Sequence, residues 1–266
     1  MLFGNEIKTK KEAAVACGFA EIHAMVRKGH EECGDSAFAY ADKNKAILAV
    51  FDGVSGEKGA ANASSIAAKS MLGSLKKLDR ADAKEIKAAI SKASRDIDEG
   101  FTTVALAFLE SNGSFIIASV GDSAIYSKSG KEVSLELPLG RPVAKGDSVL
   151  KFFGFRNLVT SVVGPTNFEI EVHMADGMIG KGDILIIASD GLVDNLYVET
   201  KEGYVSDGTG CRDLGQLIKS SSPKTIVKDL DRIIQKRIKK GKLEEENRIL
   251  DPKTDDISII AVRWGK

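Results

Sequence analysis

Five aspartates, Asp35, Asp52, Asp122, Asp190 and Asp255, each stand where an apolar, strand-like run starts or stops. AILAVF leads into Asp52, FIIASVG into Asp122 and ILIIAS into Asp190, while SAFAYA follows Asp35 and ISIIAV follows the pair Asp255, Asp256. In an antiparallel sheet the end of one strand lies beside the start of its neighbour, so such carboxylates can gather at one edge. That is the donor set hard divalent cations such as Mg²⁺ and Mn²⁺ take. Each match is weak alone, because the Asp-Gly steps in AVFDGVSGE and IIASDGLVDNL are common turn dipeptides. Asp194, one helical turn beyond Asp190, adds a further carboxylate. Together they favour metal binding over a purely structural reading, since carboxylates gathered beside an apolar core are costly without cations.

The elements that must carry these residues are mostly strands. Short β-type runs recur at residues 13–22, 36–42, 46–51, 102–110, 114–120, 123–128, 168–174, 183–189 and 257–264. Between residues 59 and 98, Ala67, Met71, Leu75 and Leu78, then Ile86, Ile90 and Ile97, recur at helical spacing and predict two amphipathic helices. A third helix is predicted from Ser222 as N-cap and Pro223 at the first helical position to near Gly241, and GCRDLGQLIKS around Leu214 predicts another. This order predicts an α+β fold of two stacked antiparallel sheets with helices packed outside them. Residues 138–165 hold three of the five prolines without clear periodicity, which predicts a loop or flap near the site.

With 266 residues, 43% of them hydrophobic, the chain can bury one sizeable core and is read as a single domain, 1–266. Thirty-eight basic residues balance thirty-eight acidic ones, which leaves no electrostatic footprint for nucleic acid. Cys17, Cys33 and Cys211 are few, widely spaced and include no C-x-x-C pair, so a reducing, cytoplasmic setting is expected. The N-terminal MLFGNEIKTKKEAA predicts no export signal, and runs such as ILIIA fall far short of the roughly 20 residues of a membrane helix. Without heptads or a long apolar stripe, a monomer is the expectation. There is no C-x₅-R loop, G-x-S-x-G elbow, Walker A sequence or H-E-x-x-H, which argues against cysteine phosphatase, serine hydrolase and P-loop chemistry.

Six segments, CGDSAFAY, AVFDGVSGE, GFTTVALAFL, ASVGDSAIY, LIIASDGLVDNL and DDISIIAV, together resemble in order and wording the metal-dependent protein phosphatases of the PP2C (PPM) family. The likeness runs from about residue 30 onward and implies a four-layer αββα fold. It implies that Asp52 bridges two Mn²⁺ or Mg²⁺ ions, that the Gly53 carbonyl binds one of them, and that Asp190 and Asp255 complete a shell. Asp35 is matched to a residue holding metal-bound water, and Asp122 and Asp194 to acids that hold a third, weaker metal in some relatives. The implied reaction is attack of a metal-bridged hydroxide on phosphoserine or phosphothreonine of a protein substrate. For Thr102 and Thr103 the plainer reading, β-branched strand residues on a packed face, is preferred.

The chain departs from that pattern at two places. HEECGD puts His30 where the family has a phosphate-binding arginine, with Arg27 and Lys28 as alternative cations and Cys33 and Gly34 replacing an asparagine and an acid. Val54 follows the first Asp-Gly where some relatives place a histidine that protonates the leaving group. His23 and His173 are read as structural. Two other readings stay open: a silent relative serving as a regulatory binding module, and a phosphatase of a small phosphomonoester.

Overall fold

A computed structural model describes residues 2–3, 9–140, 159–165, 169–200, 203–205, 209–241, 243–245, 248–250 and 252–265. The first six-stranded sheet runs in the order β1 (Leu2–Phe3), β4 (Ser36–Ala41), β5 (Lys45–Phe51), β6 (Val104–Glu110), β7 (Ser114–Val120), β10 (His173–Met178). The second runs β2 (Lys10–Ala16), β3 (Ala20–Arg27), β16 (Ile257–Trp264), β11 (Ile184–Ala188), β8 (Ala124–Ser129), β9 (Glu132–Leu135). Every pairing in both sheets is antiparallel. Two short hairpins, β12 (Val198–Thr200) with β13 (Gly203–Val205) and β14 (Leu243–Glu245) with β15 (Arg248–Leu250), stand apart.

Side-chain alternation explains how the layers stack. A strand sends successive residues to opposite faces. In β5, Ala46, Leu48 and Val50 enter the core between the sheets, while Ile47, Ala49 and Phe51 meet helices. In β16, Ile260, Val262 and Trp264 enter the same central core, and Ile257, Ile259 and Ala261 face helices on the far side. Both faces of these strands are covered, which is why they read as unbroken apolar runs. Helices α1 (Ala60–Leu75) and α2 (Ala83–Asp96) cover the first sheet, and α4 (Cys211–Leu217) and α5 (Pro223–Lys240) cover the second. The result is the expected helix–sheet–sheet–helix stack.

Local chemistry sets the helix ends. Asp82 accepts from the Glu85 backbone N–H and the Glu85 side chain accepts from that of Asp82, both at 2.9 Å, a complete capping box on α2. Helix α5 starts at Pro223 as expected, but the Ser222 side chain makes no capping bond; the fixed φ of proline suffices to start the turn. The buried Lys45 ammonium donates to the carbonyls of Lys76 and Leu78, just past the end of α1.

Two sequence expectations need correcting. The run 13–22 is not one strand but parts of the hairpin β2–β3, turning at Cys17–Phe19, where the Cys17 N–H donates to the Ala20 carbonyl at 3.1 Å. Apolar residues continue through that turn, and Gly18 was its one signal. The strand placed at 168–174 is His173–Met178, a half-exposed edge strand paired with β7; its polar HMADGM has no apolar run to read. Most of the expected flap, residues 141–158, lies outside the described residues. No helix among the described residues is long and apolar enough to cross a membrane.

Candidate metal centre

The carboxylates meet where the two sheets adjoin. Asp52 follows β5 of the first sheet, and Asp122 sits in the turn by which the chain leaves β7 of the first sheet for β8 of the second. Asp190 follows β11 and opens the single-turn helix α3 (Asp190–Val193), and Asp255 precedes β16. Carboxylate oxygens of Asp52, Asp122 and Asp190 lie within 4.8 Å of one another. With Asp255 they line a cavity of about 490 Å³ that also touches His30, Val54, Thr103 and Lys253. Asp122, matched by the likeness to an acid that holds a third, weaker metal in some relatives, is a member of this trio.

Asp35 lies behind this wall. It is 1% exposed, does not line the cavity, and accepts from the Ser189 hydroxyl at 2.8 Å. Its carboxylate thus anchors the residue next to Asp190. Asp194 is likewise buried, one turn beyond Asp190, and its N–H donates to the Asp190 carbonyl at 2.8 Å.

Both Asp-Gly steps have a cause other than a turn. A Cβ on Gly53 would lie 2.6 Å from the Ala60 carbonyl oxygen, and one on Gly191 would lie 1.9 Å from that of Asp256. Neither glycine has a positive φ, so each is needed for close backbone approach. The Gly53 N–H donates to the Gly34 carbonyl at 3.2 Å, and Gly53 lines a neighbouring cavity with His30, Gly34 and Asp256.

Thr102 and Thr103 do more than pack. The Asp52 carbonyl accepts from the Thr103 N–H at 2.8 Å and the Thr102 hydroxyl at 2.9 Å, and the Thr103 hydroxyl meets Ser123, beside Asp122, at 2.7 Å. The pair ties the backbone of Asp52 to the side chain that follows Asp122. Asp256, unassigned by sequence, accepts backbone N–H bonds from Gly29, His30 and Gly34 and so holds the loop that carries His30. The doubled DD before a strand was its only signal.

The basic residues weighed for phosphate binding separate. Arg27 makes a bidentate pair with Asp231, at 2.6 and 2.7 Å, and is committed there. Lys28 does not line the cavity. His30, its side chain 46% exposed, sets Nε2 2.9 Å from Asp255 Oδ1. His23 is buried on β3 with Glu12 and belongs to the outer face of the second sheet.

Charge at the centre is out of balance. Burial first, then the charges of Asp190, Asp35, Asp255 and Asp122, push the Asp52 carboxyl well above its ordinary range. Asp35 is raised by burial and by Asp256, and Asp255 by burial and Asp190. An all-oxygen set of crowded carboxylates that resist ionising fits a hard divalent cation.

A pH dependence follows. A carboxyl raised above its unfolded value contributes stability that is full below that value and is lost as pH rises through the folded one. Metal-free protein should therefore gain stability as acidification carries these carboxyls through their raised folded values toward the ordinary aspartate value of 3.8. Asp231, where burial is outweighed by Arg27 and Lys10, is lowered and loses its contribution only below 3.8. Saturating Mn²⁺ should remove the acid gain, because it favours the ionised forms. Melting curves across pH with and without Mn²⁺ check this; a metal-free melt falling steadily on acidification would contradict it.

The sequence profile described as "Protein phosphatase 2C" matches residues 24–211. Among solved structures, a serine/threonine phosphatase of S. agalactiae aligns at TM-score 0.70 and 16% identity over 96% of this chain and 99% of its own. The Mycobacterium tuberculosis serine/threonine phosphatase PstP aligns at 0.63 and 16% over 93% and 100%. RsbX, solved in complex with magnesium, aligns at 0.62 and 17% over 96% and 100%. At such identities these likenesses establish the fold alone. No curated protein sequence matches significantly.

Proposed function

Since the chain belongs to the protein phosphatase 2C family, we propose that it is a metal-dependent phosphatase hydrolysing phosphoserine and phosphothreonine in proteins. The observation that carries this reading is the trio Asp52, Asp122 and Asp190, with carboxylate oxygens within 4.8 Å, at the wall of an accessible cavity. Asp52, Asp122, Asp190 and Asp255, with the Gly53 carbonyl, would hold two Mn²⁺ or Mg²⁺ ions. Bound there, such ions make water acidic enough to attack near neutral pH and neutralise charge on the phosphoryl oxygens.

The chain's own residues supply position. Thr102 and Thr103 fix the Asp52 backbone, and the Ser189 hydroxyl holds Asp35 beneath Asp190. Asp256 holds the 29–34 loop, and His30 is set on Asp255 at the cavity's edge. Val54 lines the wall without a transferable proton, so this side offers the leaving group no acid. The magnesium in the RsbX structure, a protein of similar fold, supports the metal assignment.

A second reading, a catalytically silent binding module, is favoured by one observation: the Lys253 ammonium lies against Asp190 and Asp255. Hydrolysis of p-nitrophenyl phosphate with and without Mn²⁺ separates the two. Turnover that requires the metal and extends to phosphopeptides over metabolite phosphates is the expected result. Folded protein inactive with every divalent metal would leave the binding module as the function.

A further inference from the structure

Lys253 lies outside the six segments that carry the family likeness, yet it sits at the centre. Its ammonium contacts Asp190, lies 2.8 Å from Asp255 Oδ2 and 3.6 Å from Asp194 Oδ2, and its side chain is 16% exposed. This is a built position. The wholly buried Asn195 clamps the lysine's backbone from both sides: its Oδ1 accepts the Lys253 N–H at 3.0 Å and its Nδ2 donates to the Lys253 carbonyl at 2.9 Å. The same Nδ2 donates to the Gly191 carbonyl at 2.8 Å, so the lysine is fastened to the turn that carries Asp190. Among the described residues, the basic side chains lining the cavity are His30 and Lys253.

We propose that Lys253 is a built-in counter-cation of the acidic centre, whose ammonium and a divalent metal compete for the Asp190 and Asp255 carboxylates, so that loading the metal turns the lysine out. The inference rests on the metal reading above. The lone pairs of Asp190 and Asp255 that accept from the ammonium are those a metal ion would take as ligand bonds, and a divalent charge beside them would repel the ammonium in a partly buried site. One ammonium cannot neutralise Asp52, Asp122, Asp190 and Asp255 together, so it steadies the carboxylates without matching what a divalent ion would supply. The exchange makes metal affinity lower than the carboxylates alone would set it, and it keeps the metal-free protein from opening at this edge.

Calorimetric titration of metal-free protein with Mn²⁺ alone tests this on wild type, Lys253→Met and Lys253→Arg. Lys253→Met is expected to bind Mn²⁺ about tenfold or more tighter, which is about 1.4 kcal/mol, to melt lower than wild type without metal, and to lose that deficit at saturation. Lys253→Arg, which keeps the charge, is expected to stay near wild type. Unchanged or weaker binding by Lys253→Met overturns the inference while leaving the metal reading intact; absence of Mn²⁺ binding in folded wild type overturns both. A measurement on wild type alone guards against a misfolded variant. Acetylation of Lys253 by an amine reagent, read by peptide mass spectrometry, should rise when Mn²⁺ is added, and a rate unchanged or lowered by Mn²⁺ overturns the exchange.

Discussion

Replacing Asp52 by asparagine should lower metal-dependent turnover of p-nitrophenyl phosphate by about 10³-fold or more, the scale of losing a main electrostatic contributor to a transition state. Asp52 is crowded by acids: Asp190, Asp35, Asp255 and Asp122 all raise it, after burial. The same crowding gives the substitution a second, opposite effect. Asparagine removes one repelling charge at nearly constant volume, so metal-free Asp52→Asn should melt higher than wild type, while its rise on adding Mn²⁺ shrinks. Activity lost with metal-free stability gained is the signature of a cation site. A variant that loses both would mark Asp52 as a structural acid.

Asp256→Ala should lower stability as well as turnover. Its carboxylate receives backbone N–H bonds from Gly29, His30 and Gly34, and no lysine or arginine competes for it in the described contacts. Removing the acceptor leaves three donors unmet, and because Gly29 and His30 are exposed, water recovers part of the loss. The expected cost is about 2–4 kcal/mol, or roughly 5–15 °C in melting temperature. Turnover should fall by about 10–100-fold, the usual penalty for disturbing what orients a metal ligand. Denaturant unfolding beside kinetics checks both numbers, and a neutral effect on stability would mean the 29–34 loop is held by other contacts. Neighbours in sequence, Asp255 and Asp256 thus divide the work: one faces the cavity, the other ties down the loop opposite.

The carboxylates were legible because each ends or starts a strand covered on both faces. Such strands write themselves as unbroken apolar runs, and the polar residue that stops the run is conspicuous. Helices α1 and α2 were legible for a similar reason, one face of Ala67, Met71 and Leu75, then Ile86 and Ile90, being fully buried. What escaped reading depends on partners far away in the chain. Thr102 and Thr103 look like strand residues until Asp52 is placed beside them. Lys253 looks like a solvated charge until Asn195 fastens it to the turn of Asp190. The β2–β3 hairpin was hidden because its turn is as apolar as its strands, and β10 because an edge strand with one wet face carries a weak pattern.

Strand β16 lies in the middle of its sheet, between β3 and β11, although it is the last described strand in the chain. During synthesis, then, the second sheet waits as two separated halves, β2–β3 on one side and β11–β8–β9 on the other, until residues 257–264 arrive to join them. Asp255 and Asp256 arrive with that closing piece. The pairing that joins the two halves is thus also the one that brings Asp255 to the cavity of Asp52, Asp122 and Asp190.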